Sequence, residues 1–103
     1  MNGMAKVLVT YQQPTDQEGF ERHYHNVHIP LVQKLPYLKG AEIHRVLQAQ
    51  NTSENYYLFA ELLFDNPAFL SESLASPEGQ EVQGDVLNLL PYLSKPPVIL
   101  IVE

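Results

Sequence analysis

Four histidines and six tyrosines hold most of the chemistry in this chain of 103 residues. His23, His25 and His28 crowd into one short stretch with Tyr24 and Asn26, and His44 stands apart. An unperturbed imidazole titrates at about 6.5, so it can take and return a proton near neutrality. His28 is the candidate general acid or base. It falls on the helical phase of Phe20, Tyr24, Val27, Leu31 and Leu35, beside Tyr24 and Leu31 on the apolar side. Pro30 follows and leaves the Asn26 carbonyl short of a donor. An inward histidine beside a helix irregularity has two readings: a proton-transfer group, or a core histidine bonded to a backbone carbonyl.

The remaining candidates rank behind it. His23 and His25 are two apart, point to different sides of a helix, and are expected in solvent. His25 and His28 have a spacing that can share a metal, but no carboxylate completes a triad nearby and no HExxH occurs, so no metal site is expected. His44 alternates with Ile43 and Arg45 on a strand and faces either a dimer interior or solvent. Tyr11 ends the first strand, where it can reach a cleft between sheet and helix. Tyr24 is on the inward helical face, and Tyr37 sits in the loop that follows. Tyr56, Tyr57 and Tyr92 read as packing residues with wet hydroxyls. His28 with Tyr11 and Tyr24 in an apolar cleft suits proton abstraction or donation on a flat, weakly acidic organic molecule, with Phe20, Leu31 and Tyr37 as substrate contacts. No GxSxG, GxGxxG or GxxxxGK[ST] occurs, so neither a serine nucleophile nor a nucleotide or flavin cofactor is indicated.

The elements that must position these groups follow from the punctuation. Residues 5–11 are rich in β-branched types and read as a strand that Pro14 stops. Thr15 or Asp16 caps the next helix, with Glu18 at capping-box spacing from Thr15. Pro30 predicts one helix to about residues 26–28, a kink, and a short second helix with Pro30 in its first turn. A strand is expected over residues 41–50, a polar turn over 51–55, and a second hairpin strand over Tyr56–Phe64, whose one charge is Glu61. Asp65 or Asn66 caps a helix over residues 68–75 with Pro67 in first position. Ser76, Pro77 and Glu78 open another, with Val82, Val86, Leu89 and Leu90 on its apolar face, and Pro91 ends it. Pro96 and Pro97 lead into the last strand, Val98–Val102.

The order β-α-β-β-α-β predicts an α+β, ferredoxin-like subunit: a four-stranded antiparallel sheet with its helices on one face. Alternation in Tyr56–Phe64 sends Tyr56, Leu58, Ala60, Leu62 and Phe64 one way and Tyr57, Phe59, Glu61 and Leu63 the other. Val98–Val102 is apolar throughout. Neither side of the sheet reads as wet, so the second face is expected to pack on a copy of itself, giving a homodimeric α+β barrel. The alternative is a monomer whose termini cover that face.

Composition limits the function classes. One domain is expected over residues 1–103, with its core in about 5–102. Charged residues are 17% of the chain and the net charge is −6. The six Lys and Arg are scattered, so neither nucleic acid nor an anionic membrane is an expected partner. The absence of cysteine excludes disulfides, thiolate metal sites and thiol nucleophiles. With no long apolar run, a cytoplasmic protein is the default expectation.

The run Tyr11, Pro14, Phe20, Tyr24, His28, Pro30, Leu31 and Leu35–Pro36, with Ser76, Pro77, Glu78 and Asp85 downstream, resembles the EthD family over roughly residues 5–102. The family's loop often reads Leu-Pro-Gly, where this chain has Tyr37 after Pro36. The resemblance implies a dimeric α+β barrel, and His28 matches the family's recurrent histidine. Related barrels include cofactor-independent monooxygenases, muconolactone isomerases and polyketide cyclases. The expected function is a cofactor-independent oxidoreductase or isomerase acting on a small hydrophobic or aromatic compound, with His28 in proton transfer. The alternative is a non-catalytic binding or accessory protein for such a compound. A haem-bearing barrel is a third reading.

Overall fold

The computed structural model describes residues 4–103. Strand β1, Ala5–Gln12, leads into α1, Gln17–His23; a π-helical turn, Tyr24–His28; and α2, Ile29–Val32. Then come β2, Gly40–Arg45; β3, Tyr56–Phe64; α3, Pro67–Ala75; α4, Pro77–Leu89; a 3₁₀ turn, Leu90–Tyr92; and β4, Val98–Val102. The strands lie in the order β2-β3-β1-β4, each pair antiparallel, so the two β-α-β halves interleave. The helices cover one face. No helix among the described residues is long and apolar enough to cross a membrane.

Short polar side chains set where the helices begin. Asp16, not Thr15, caps α1 by accepting from the Gly19 amide at 3.0 Å. The Thr15 hydroxyl instead donates to the Tyr92 carbonyl at 3.0 Å, so the expected capping box does not form. A Cβ on Gly19 would stand 2.5 Å from Asp16 and 2.6 Å from the Tyr92 ring, which explains the glycine there. Asn66 caps α3 and Ser76 caps α4, each followed by proline at the first helical position.

Pro30 has a subtler effect than a kink. The Ile29 amide donates to the Tyr24 carbonyl, five residues back, so the helix widens into a π turn and continues as α2. Wide turns of this kind insert a residue without breaking the helix. Tyr24 and His28 both stay on the buried side.

Two strand expectations change. Strand β2 stops at Arg45 rather than running to residue 50, because nothing covers the chain beyond it: Leu47 is 93% exposed. The register between β1 and β3 slips between Tyr11 and Gln12, leaving Tyr57 as the extra residue of a bulge. Tyr57 therefore packs with Leu58 on the helix side, its ring 6.0 Å from Phe20, instead of facing outward beside Phe59.

The core lies between sheet and helices. Ala5, Val7, Leu62 and Phe64 meet Val32, Leu35, Leu70 and Val82 at one end. Tyr11, Leu58 and Ala60 meet Phe20, Tyr24 and Leu89 at the other. The molecule is only 17 Å through its thinnest direction, enough for one sheet and one helical layer. Among the described residues nothing covers the second sheet face. Pairing puts Lys6, Leu8 and Thr10 there, flanked by Phe59, Glu61 and Leu63 on β3 and by Val98, Leu100 and Val102 on β4. Glu42 and His44 of β2 complete it. The face is greasy toward β4 but carries a polar stripe toward β2, which the reading from β3 and β4 alone did not foresee.

Candidate active site

The widened helix and the first strand bring three groups to one void. Tyr24 and His28 face inward from the π turn, and Tyr11 stands across from them near the end of β1. Their rings pack closely: Tyr24 stacks on His28 at 5.5 Å and meets Tyr11 edge-on at 5.4 Å. All three line a cavity of about 170 Å³ whose other walls are almost wholly aliphatic, from Val7 and Val9 on β1 to Val82 and Val86 on α4. Ile99 and Ile101 of the edge strand β4 also line it while remaining 50% and 62% exposed.

Asp85 completes the site. It projects from α4, only 5% exposed, and its Oδ2 accepts from His28 Nδ1 at 2.8 Å. His23 Nε2 donates to Oδ1 at 2.8 Å, and Asn88 Nδ2 donates to the same oxygen at 2.9 Å. Burial alone would raise the Asp85 carboxyl, but Asn88, His23 and His28 outweigh it and hold it below its ordinary value. An ionised carboxylate only accepts, so the proton of a neutral His28 sits on Nδ1 and Nε2 keeps its lone pair. Burial lowers His28, against the pull of Asp85, so the neutral ring is favoured. Nε2 makes no hydrogen bond to any described residue.

Tyr11 and Tyr24 line the same cavity, and their hydroxyls likewise have no hydrogen-bond partner among the described residues. Burial raises both phenols, with Tyr24 and Asp85 adding to the effect at Tyr11 and Glu21 at Tyr24. They stay protonated and serve as donors. The arrangement is one base and two neutral donors around an apolar void.

The other proposed contacts lie elsewhere. Phe20 is fully enclosed behind Tyr11 and Tyr24 and supports their rings without lining the cavity. Leu31 packs against the core cluster that includes Val32 and Leu35 but does not itself line the cavity. Tyr37 is on the surface, stacked on Phe69 at 4.4 Å, with φ of 66°. His23 is paired with Asp85 rather than solvated. His25 binds Glu21 at 2.9 Å, and the Tyr57 hydroxyl donates to the same carboxylate. His25 and His28 thus turn to different carboxylates and do not converge on a metal. Ligand atoms of Glu42, His44 and Glu61 do lie within 4.8 Å of one another on the open sheet face, where Lys6 already approaches Glu61 at 3.5 Å. Sequence reasoning missed Asp85 as a site residue. Its only signals were a carboxylate on the polar edge of an amphipathic helix and its place in the family pattern.

The EthD domain family matches residues 12–90. The chain belongs to the EthD family. An uncharacterised 11.0 kDa protein from the thcB–thcC intergenic region of Rhodococcus erythropolis is 34% identical over 85 residues, 82% of each chain. Among solved structures, an EthD-family protein of Bacillus halodurans C-125 superposes with a TM-score of 0.85 at 28% identity, over 97% of both chains. A dimeric ferredoxin-like protein of unknown function from Jannaschia sp. CCS1 shares the fold with a TM-score of 0.70 at 18% identity, over 98% of this chain and 99% of that one.

Proposed function

We propose that this EthD-family chain is a homodimeric, cofactor-independent enzyme that moves a proton on a small hydrophobic carbonyl or phenolic compound. The observation that carries the reading is His28, bonded through Nδ1 to Asp85 and lining an apolar cavity together with Tyr11 and Tyr24. Nε2 takes a proton from a carbon next to the substrate carbonyl. The electron pair moves onto the carbonyl oxygen, which accepts hydrogen bonds from the Tyr11 and Tyr24 hydroxyls. The imidazolium that forms is stabilised by Asp85, and it returns the proton to the same carbon or another. Return elsewhere is an isomerisation; where the enolate carbon instead bonds to dioxygen, the electron pair passes to oxygen and the imidazolium returns its proton to the peroxide, giving a hydroperoxide. The aliphatic walls exclude water and strengthen each of these interactions. Ile99 and Ile101 guard the way in and favour an apolar substrate.

The dimer part rests on the uncovered sheet face and on the dimeric neighbour of the same fold. The test combines native mass spectrometry of the purified protein, to catch the oligomer and any co-purified compound, with turnover assays of H28A on whatever the cavity binds. The expected result is a dimer whose H28A variant still binds the compound but no longer transforms it. Undiminished turnover in H28A removes His28 from the chemistry. Binding without turnover in the wild type leaves a carrier in place of an enzyme.

A further inference from the structure

One buried carboxylate serves two imidazoles. His28 holds Asp85 Oδ2 at 2.8 Å from the cavity side. His23 holds Oδ1 at 2.8 Å from the outer side and lies 3.1 Å from Oδ2 as well. The His23 side chain is 20% exposed against 6% for His28, so one ring meets water and the other meets Tyr24 and aliphatic walls. The proton-transfer reading uses His28 and Asp85 and gives His23 no task.

We propose that His23 is a positioning residue for His28: it holds part of the Asp85 carboxylate and so keeps the inner ring neutral and ready to accept a proton. This rests on the proton-transfer reading, but its test needs no turnover. Asp85 is the one carboxylate bonded to His28, and its negative charge is what would trap a proton there. A second donor on that carboxylate draws off part of the charge. When His23 is protonated, its own positive charge neutralises Asp85 from the outside and opposes a second charge on the inner ring. Burial of His28 acts in the same sense.

The other groups facing His28 do not supply this control. Tyr24 from the π turn and Tyr11 from β1 are neutral phenols. Gln83, from α4, is uncharged, and the cavity residues from α2, β2, β3 and β4 are apolar. Asn88 donates to Asp85 Oδ1 but carries no charge. Besides His28 itself, His23 is the only imidazole among the described residues bonded to Asp85.

The experiment is a pH titration of the histidine ring nitrogens by long-range ¹H–¹⁵N correlation spectra, in wild type, H23Q and H23F. H23Q keeps a donor but cannot charge; H23F removes both donor and charge. The expected result is that His28 protonates more readily in both variants, its protonation constant rising about 3- to 10-fold, with the larger rise in H23F. Nδ1 is expected to keep its proton throughout. If H23F fails to fold, H23Q carries the comparison. A His28 midpoint unmoved or lowered in the folded variant overturns the proposal. The two readings fail separately: a shifted His28 midpoint with full turnover in H28A would spare this inference and remove the catalytic one.

Discussion

Asp85 fixes the proton of a histidine that helical spacing alone could only place. The consequence reaches stability. The folded His28 titrates below its ordinary value of 6.5. The stability that comes from keeping it neutral is therefore complete above that value and is withdrawn as pH falls below it. The folded Asp85 also titrates below its ordinary 3.8, so its contribution holds above that value and is lost at still lower pH. Both effects favour the fold at neutral pH, and His28 gives way first. Urea unfolding at about pH 7 and about pH 5 is expected to show the wild type losing stability with acid and H28Q losing less; equal losses would contradict the assignment. D85N should cost about 2 kcal/mol at neutral pH, because it replaces the acceptor of one buried and one part-buried imidazole bond with a group that also needs partners. At this scale spacings of four and eight residues from Phe20 put Tyr24 and His28 on one helical face, and Tyr11 was placed by the end of the first strand. Asp85 lies 57 residues from His28, and no periodicity joins them. Phe20 and Leu31 show a further limit: spacing tells which residues turn inward, not which of these line a void and which fill the space behind it.

The elements were legible wherever short-range chemistry decides them. Proline and capping side chains located the helix starts within a residue or two, and Tyr56–Phe64 was bounded by its polar flanks. What pairing or solvent decides was not. The end of β2 depends on whether anything covers residue 47. The bulge at Tyr57 exists only in the register with β1, and Pro30 acts by widening a turn where a kink was equally consistent with its missing N–H. Tyr37 offers a test at this scale. Its φ of 66° strains any residue with a Cβ, while its ring gains a stack on Phe69. Y37A keeps the strain and loses the stack; Y37G loses both. Thermal melts should therefore place Y37A below Y37G, with Y37G close to wild type. The reverse order would mean that the loop does not hold this backbone in solution.

For the whole molecule, the decisive feature is a sheet with helices on only one side. Leu8 and Leu100 face each other across β1 and β4 on the uncovered side, and Val98 and Leu100 are about half exposed. A second copy packed there would bury this patch and would have to accommodate the Lys6, Glu61, His44 and Glu42 stripe beside it. Light scattering is expected to find twice the 11.7 kDa chain mass. L100K should weaken the dimer about 100-fold by placing an unpaired charge in the interface. A wild type that stays at a single chain mass at micromolar concentration would contradict the dimer. The topology was readable because the order of six elements admits few folds, and the greasy side because Val98–Val102 has no polar position. The polar stripe escaped notice because it is assembled from three strands. The most direct test of the proton-transfer role is exchange in heavy water: small aryl ketones that fill the cavity, followed by ¹H NMR for loss of the protons next to the carbonyl. Protein-dependent exchange that H25A retains and H28A loses is the expected result. Exchange at the same rate in H28A, or none in the wild type for a ketone shown to occupy the cavity, would contradict it.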